Sequence, residues 1–475
     1  MTMGIRFDNS LMKAPYEGLK GIESVYFIGI GGIGMSALAR FFNEQGVSVS
    51  GYDKTKTELT LQLEKEGMKI HYTDDLSLIP SKVDWVVFTP AIPASHKELN
   101  YFKENGYTIL KRSDVLEKIT RSSLNIGIAG THGKTTTTTM VAHLLRHSGV
   151  GCNAFLGGIS SNYNTNYWSA EQNCCVVEAD EFDRSFLKLN PDLALISSMD
   201  PDHLDIYGSA QKMEEAFLDF SALVKPGGVL VYKKGLTREK DFRAKQLVSY
   251  HLSDTEADCY ATNIEVTEGG YAFDIKFFDD KISSLYLPMG GLHNIENAIG
   301  AIAIAKLMGL TNEQITKALA CFAGVKRRFE IVAKQNGLTV IDDYAHHPQE
   351  LRALISGVRS VYKNQKCLVV FQPHLYSRTR DLAAEFAAAL DDADEVILLP
   401  IYPARELPIE GVSSEMILGL MKKEKKAVKS ELAVLEWISD IMNLTEKQVI
   451  VTAGAGSIDQ LPVKINEILK NKSGN

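Results

Sequence analysis

Gly130, Thr131, His132, Gly133, Lys134, Thr135 and Thr136 make a glycine-rich turn that ends in a lysine and threonines. Backbone N–H groups in such a turn, with the N-terminus of a following helix, present positive potential to an anion. Lys134 can reach the terminal phosphates of a nucleotide, and the Thr135 hydroxyl can bind Mg²⁺. The usual phosphate loop has four residues between its glycines, whereas Gly130 and Gly133 enclose two. The strict pattern therefore fails, and a tight turn with a surface lysine is the competing reading.

Carboxylates follow. Residues 174–181, Cys-Cys-Val-Val-Glu-Ala-Asp-Glu, empty an apolar run into acids, where Mg²⁺ is held downstream of a phosphate loop. Glu178 sits in the apolar run, so its burial calls for a cation; Asp180, Glu181 and Asp183 are expected to be more exposed. His203 stands among Asp200, Asp202 and Asp205, a second place for metal or phosphate. An Asp-Pro turn and a helix cap explain the aspartates but not the histidine.

An earlier motif, Gly29-Ile-Gly-Gly-Ile-Gly34, contributes Gly31, Gly32, Ile33 and Gly34, with Asp53 about 20 residues on. Read alone it suggests NAD. The turn itself specifies only a pyrophosphate on a helix N-terminus and an acceptor for a hydroxyl, and a UDP-sugar carries both. His71, Thr89 and Arg112 follow further strands and are candidate lining residues. Near the other end, Asp343, Tyr344, His346 and His347 cluster after a strand, and His374 and Arg378 follow another. An arginine there can grip a free carboxylate with two parallel hydrogen bonds. His293, Asn294 and Asn297 open an alanine-rich helix, where capping accounts for one asparagine only.

Strand ends and helix starts must hold these groups. Apolar runs at 24–29, 47–52, 83–88 and 108–111 alternate with helical stretches such as 35–45. The pattern recurs at 124–129, 174–178, 193–197 and 229–232, with antiparallel strands expected at 271–278 and 284–287. It appears again at 338–342, 367–371, 395–399 and 448–452. Such alternation gives α/β layers, and the length suggests about three domains. Their expected limits are 1–119, 120–323 and 324–475.

The formal charge of −8 disfavours nucleic acid or a membrane surface as a general partner. The six cysteines lack metal-ligand spacing, and the neighbours Cys174 and Cys175 read as reduced core thiols on opposite strand faces. No run approaches the ~18 apolar residues of a membrane span, and residues 1–16 lack the pattern of a secretion signal. A cytoplasmic protein without membrane insertion is expected.

In order, residues 29–36 (Gly-Ile-Gly-Gly-Ile-Gly-Met-Ser), 130–136, Glu178-Ala-Asp-Glu181, Asp202-His-Leu-Asp205, Gly291-Leu-His-Asn294, Arg327-Arg-Phe329, Asp343-Tyr-Ala-His-His-Pro348 and Phe371-Gln-Pro-His374 resemble the Mur ligases over nearly the whole chain. The likeness is greatest to the branch that joins L-alanine to UDP-N-acetylmuramate. It implies an α/β chain with an N-terminal Rossmann-like domain for the UDP-sugar, a central P-loop ATPase domain and a C-terminal Rossmann-like domain for the amino acid. The reaction implied is ATP-dependent amide formation in peptidoglycan precursor synthesis, through an acyl phosphate, with Mg²⁺. By the same resemblance, Lys134 and Thr135 serve phosphate and metal, and Glu178 and His203 serve metal. His293 and Asn294 flank adenine, Arg328 meets the phosphates and Asp343 the ribose. His346, His374 and Arg378 lie near the amino acid, and Asn166 near the muramate. Leu375 stands where many relatives carry arginine, and Phe217 aligns with a lysine that some carry as a carbamate.

Three alternatives remain at this level. A ligase adding a whole murein tripeptide to the same UDP-sugar is disfavoured by Phe371-Gln-Pro-His-Leu-Tyr-Ser-Arg378. An NAD-dependent oxidoreductase leaves the phosphate loop idle, and a non-catalytic nucleotide-binding regulator does not need Lys134. The oligomeric state, monomer or homodimer, is not encoded in any motif.

Overall fold

The computed structural model describes residues 7–13, 19–201, 204–267, 269–335, 337–404, 406–441 and 447–473. The chain divides into two compact units. One comprises Met1–Asn263, Phe273–Leu285 and Glu296–Phe322; the other comprises Ile264–Ala272, Tyr286–Ile295 and Ala323–Asn475.

In the first unit, Ser24–Ile28 is buried at every position and runs parallel between Ser48–Tyr52 and Trp85–Phe88. Lys69–His71 and Thr108–Lys111 complete this parallel sheet at its two edges. The chain therefore winds outward in both directions from one central strand, and ligands bind beyond the carboxyl end at such a reversal. There the backbone turns through Gly29 (φ +88°) into the helix Ile33–Glu44.

A second sheet has Leu124–Ala129 inside it, all six residues buried, between Leu193–Ile196 and Cys174–Glu178. All three are parallel, and their unbroken apolar runs are what a strand covered on both faces requires. Helix Lys134–His147 follows directly. Asn153–Ser160 lies parallel beside Cys174–Glu178 and pairs antiparallel with Thr165–Trp168. Cys174 and Cys175 are both buried free thiols.

Helix Ile33–Glu44 joins the two sheets of this unit. Phe41 packs its ring 5.5 Å from Phe155 and 6.1 Å from Tyr167, centroid to centroid. One apolar core runs from Val25 and Phe27 through Ala129 to Phe217 and Phe220. The position aligned with a carbamylated lysine is thus an apolar ring, 5.3 Å from that of Phe186.

In the second unit, Leu338–Asp343 lies between antiparallel Glu330–Gln335 and parallel Gln448–Ala453. Lys366–Phe371, Glu395–Leu398 and Lys426–Val428 extend the parallel part. Val340, Leu368, Val370 and Ile450 form its core with Val434, Ile438 and Leu461. Helix Pro348–Val361 starts with proline, which needs no N–H partner at that place. Glu350 accepts from the N–H groups of His346 and His347 at 2.9 and 3.1 Å, so a first-turn carboxylate fixes the histidine segment.

Candidate active site

The phosphate-loop residues form a single turn in the first unit. Gly130 (φ +138°) and Gly133 (φ +79°) adopt backbone conformations that side chains resist. A Cβ on Gly130 would lie 2.2 Å from Ser197 Oγ, and one on Gly133 would lie 2.6 Å from Asn297 Oδ1. Ser197 and Ser198 follow Leu193–Ile196 and pin the loop from beneath. Ser198 Oγ accepts from His132 N at 2.7 Å and from Thr131 Oγ1 at 3.0 Å, while Ser197 Oγ donates to the His132 carbonyl at 2.5 Å. Asn297, which sequence reasoning left without a role, belongs to this loop's wall.

Thr135 Oγ1 donates to Glu178 Oε1 at 3.2 Å. Glu178 is half-buried at its strand end, and Gly157 leaves room for it: a Cβ there would meet Glu178 Oε2 at 2.2 Å. Two hard oxygens this close beside a phosphate loop fit Mg²⁺. The other predicted metal ligand, His203, lies outside the described residues, as does Asp202. Lys134 Nζ donates to the Gly130 carbonyl at 2.7 Å and meets both carboxylate oxygens of Glu181 at 2.7 and 2.8 Å. Glu181 was expected at the surface and is instead 1% exposed. Burial pushes its carboxyl pKa up, and the Lys134 ammonium pulls against that shift. The reason is the turn after Ala179, which folds Glu181 back under the loop and ties its carbonyl to the Tyr207 hydroxyl at 2.6 Å.

At the earlier glycine motif, Gly31 N donates to Asp53 Oδ2 at 2.7 Å. Gly34 lies under Arg112, whose Nη1 is 2.7 Å from where a Cβ would stand. Arg112 Nη2 is also 3.3 Å from Asp180 Oδ2, and Arg112, Glu178 and Asp180 line one cavity. One neighbour of each glycine loop, Arg112 over Gly34 and Glu178 beside Thr135, thus lines that cavity. Thr89 packs its methyl 2.9 Å from the Cβ position of Gly29, and Ile33 is exposed on the turn. His71 is half-buried, its Nε2 2.6 Å from the Tyr26 hydroxyl, and burial lowers its pKa.

Asp74, His96 and Glu98 bring ligand atoms within 4.8 Å of one another near His71. Both oxygens of Asp74 accept from Lys97 N and Glu98 N, and both of Glu98 accept from Asp75 N and Tyr26 Oη. That cluster is a hydrogen-bonded cap on the helix Lys97–Glu104. Asn166, expected near the muramate, is engaged within the protein. It is fully buried, donating to the Ile33 carbonyl at 2.5 Å and Ser36 Oγ at 2.9 Å while accepting from Arg40. Its side chain clasps the glycine-loop helix to the neighbouring sheet.

The remaining candidates belong to the second unit. Asp343 accepts from Phe329 N and Ala345 N, both at 2.7 Å, and burial raises its pKa against the opposing charge of Arg328. Arg328 lies 5.4 Å from the Tyr344 ring centre. His293 folds over Gly291, and Asn294 Nδ2 donates to the Gly290 carbonyl at 2.8 Å. The His346 and His374 rings are 6.1 Å apart. His346 Nδ1 is 2.9 Å from the Tyr344 carbonyl; a carbonyl only accepts, so Nδ1 carries the proton and Nε2 the lone pair. Burial is the main cause lowering the pKa of both histidines. His374 stacks on Tyr402 at 5.8 Å, and Tyr402 backbone bonds to Pro373 and Leu375 hold Leu375 at φ +70°. Among the described residues, His374 Nδ1 and Arg378 Nη1 are buried without a hydrogen-bond partner, as groups awaiting a ligand are. Tyr402 escaped sequence reasoning because its contact spans distant segments.

Three family models match successive parts of the chain. Residues 24–123 match the model of the Mur ligase family, catalytic domain; 128–305 match the Mur ligase middle domain; 327–456 match the Mur ligase glutamate ligase domain. A UDP-N-acetylmuramate–L-alanine ligase of Cytophaga hutchinsonii is 47% identical, over 94% of this chain and 97% of that one. One from Porphyromonas gingivalis is 45% identical, over 94% and 99%. The solved UDP-N-acetylmuramate-alanine ligase of Thermotoga maritima superposes with TM-score 0.80 at 28% identity, covering 95% of this chain and 100% of that one. A murein peptide ligase of Psychrobacter arcticus shares the fold, with TM-score 0.66 at 22% identity over 94% and 99%. The chain belongs to the Mur ligase family.

Proposed function

We propose that the protein is an ATP-dependent, ADP-forming ligase that joins L-alanine to the carboxylate of UDP-N-acetylmuramate. The observation that carries this reading is the match to alanine-adding relatives along almost the whole chain; it is supported by Arg112, which lies over the glycine turn, and Glu178, which lies beside the phosphate loop, lining one cavity. Residues 1–119 would take the sugar nucleotide, 120–323 ATP, and 324–475 alanine. Among the described residues no helix is long and apolar enough to cross a membrane.

A carboxylate is a poor acylating agent at neutral pH. Its oxygen attacks the γ-phosphorus, ADP leaves, and an acyl phosphate forms. Lys134 and Arg328 offset charge on the transferring phosphoryl group, so positioning and electrostatics supply most of the rate. Thr135 and Glu178 would hold Mg²⁺, which would supply Lewis-acid stabilisation of the phosphate oxygens. Arg378 holds the alanine carboxylate. The neutral amine then attacks the acyl carbon, phosphate departs, and the amine proton passes to His346 Nε2, the ring nitrogen whose lone pair the Tyr344 contact leaves available. His374 is the second candidate acceptor.

An isotope experiment tests the route. With both carboxylate oxygens of the muramate labelled by ¹⁸O, one label should appear in released phosphate for each amide formed. Unlabelled phosphate would remove the acyl phosphate from the scheme.

A further inference from the structure

We infer that Glu181 tunes nucleotide affinity by competing with the phosphates for Lys134, an inference resting on the proposed ATP site. The lysine ammonium has three donors. One goes to the Gly130 carbonyl, and the Glu181 carboxylate engages the ammonium through both oxygens at 2.7 and 2.8 Å. To meet a β- or γ-phosphate the ammonium must leave these partners. Glu178 accepts from the Thr135 hydroxyl at 3.2 Å. The two acids of the Glu178-Ala-Asp-Glu181 turn thus divide the loop's hydroxyl and ammonium between them.

Burial gives the competition its strength. A surface ion pair is screened and weak, whereas Glu181 is 1% exposed and Lys134 13% at the side chain. Tyr207 Oη donates to the Glu181 carbonyl at 2.6 Å and so fixes the backbone that carries the buried carboxylate. It holds the ammonium back and also repels the incoming phosphate.

Titration calorimetry of the whole protein with ADP, and with adenosine as a phosphate-free control, decides this. Glu181→Gln keeps the shape and removes the charge. ADP should bind about threefold tighter or more to this variant, with adenosine unchanged. Glu181→Asp, which shortens the reach, should tighten ADP to a smaller extent and covers the case of a Gln variant that does not fold. ADP affinity equal to or below wild type in a folded variant would overturn the inference. If wild type itself binds no ADP, the nucleotide reading of the loop fails, and this inference falls with it.

Discussion

At the scale of single residues, the proposed phosphoryl transfer leans hardest on Lys134. Lys134→Ala should lower turnover by about 10²-fold or more, since it removes charge stabilisation present mainly in the transition state. Steady-state phosphate release measures this; a variant retaining full turnover would take Lys134 out of the catalytic scheme, and wild-type protein that releases no phosphate would speak for a regulator instead. The histidines make a pH prediction with a definite sign. Burial lowers the pKa of His346 and His374, so each is neutral over more of the acid range than an ordinary histidine. A neutral imidazole accepts the amine proton and an imidazolium does not. The amide-forming rate should therefore hold steady as pH falls past about 6.5 and decline only below it. His346→Gln should erase that acid limb; an unchanged profile in the variant would reassign the base.

At the scale of elements, the loops depend on close approaches that sequence patterns only half reveal. Gly130→Ala would set a methyl 2.2 Å from Ser197 Oγ at φ +138°, so the phosphate loop should open and ADP binding should be lost by calorimetry. Asn166→Ala should lower unfolding stability by about 1–3 kcal/mol in denaturant melts, because Arg40 and the Ile33 carbonyl lose a buried partner. Its KM for UDP-N-acetylmuramate should stay within about twofold of wild type if the residue is a clasp. Much of this was legible beforehand. The strand 108–111 was placed at its observed bounds, and the strand before each glycine loop lay within a residue of its end, because buried parallel strands write themselves as unbroken apolar runs. The hairpin Asn153–Ser160 and Thr165–Trp168 is not legible in the sequence, because paired glycines at 157 and 158 interrupt the pattern that marks a strand. Glu181 was misjudged for a related reason. Composition marks an acid as exposed, and only the fold of the turn reveals the lysine waiting for it.

At the scale of the molecule, buried residues on either side of the expected limit at residue 119 pack into one apolar core. Phe41 on the glycine-loop helix supplies much of that continuity by packing on Phe155 and Tyr167. Helix faces that look like one domain's own core can serve a neighbour's, and local periodicity does not distinguish the two. The whole-chain claim is that a sugar-nucleotide acid, ATP and an amino acid are consumed together. The most direct measurement follows phosphate release with UDP-N-acetylmuramate, ATP and Mg²⁺ while single amino acids and the murein tripeptide are added in turn. L-Alanine should give sustained phosphate and ADP release in equal amounts, with little from the tripeptide. Release that is indifferent to alanine, or greater with the tripeptide, would contradict the account.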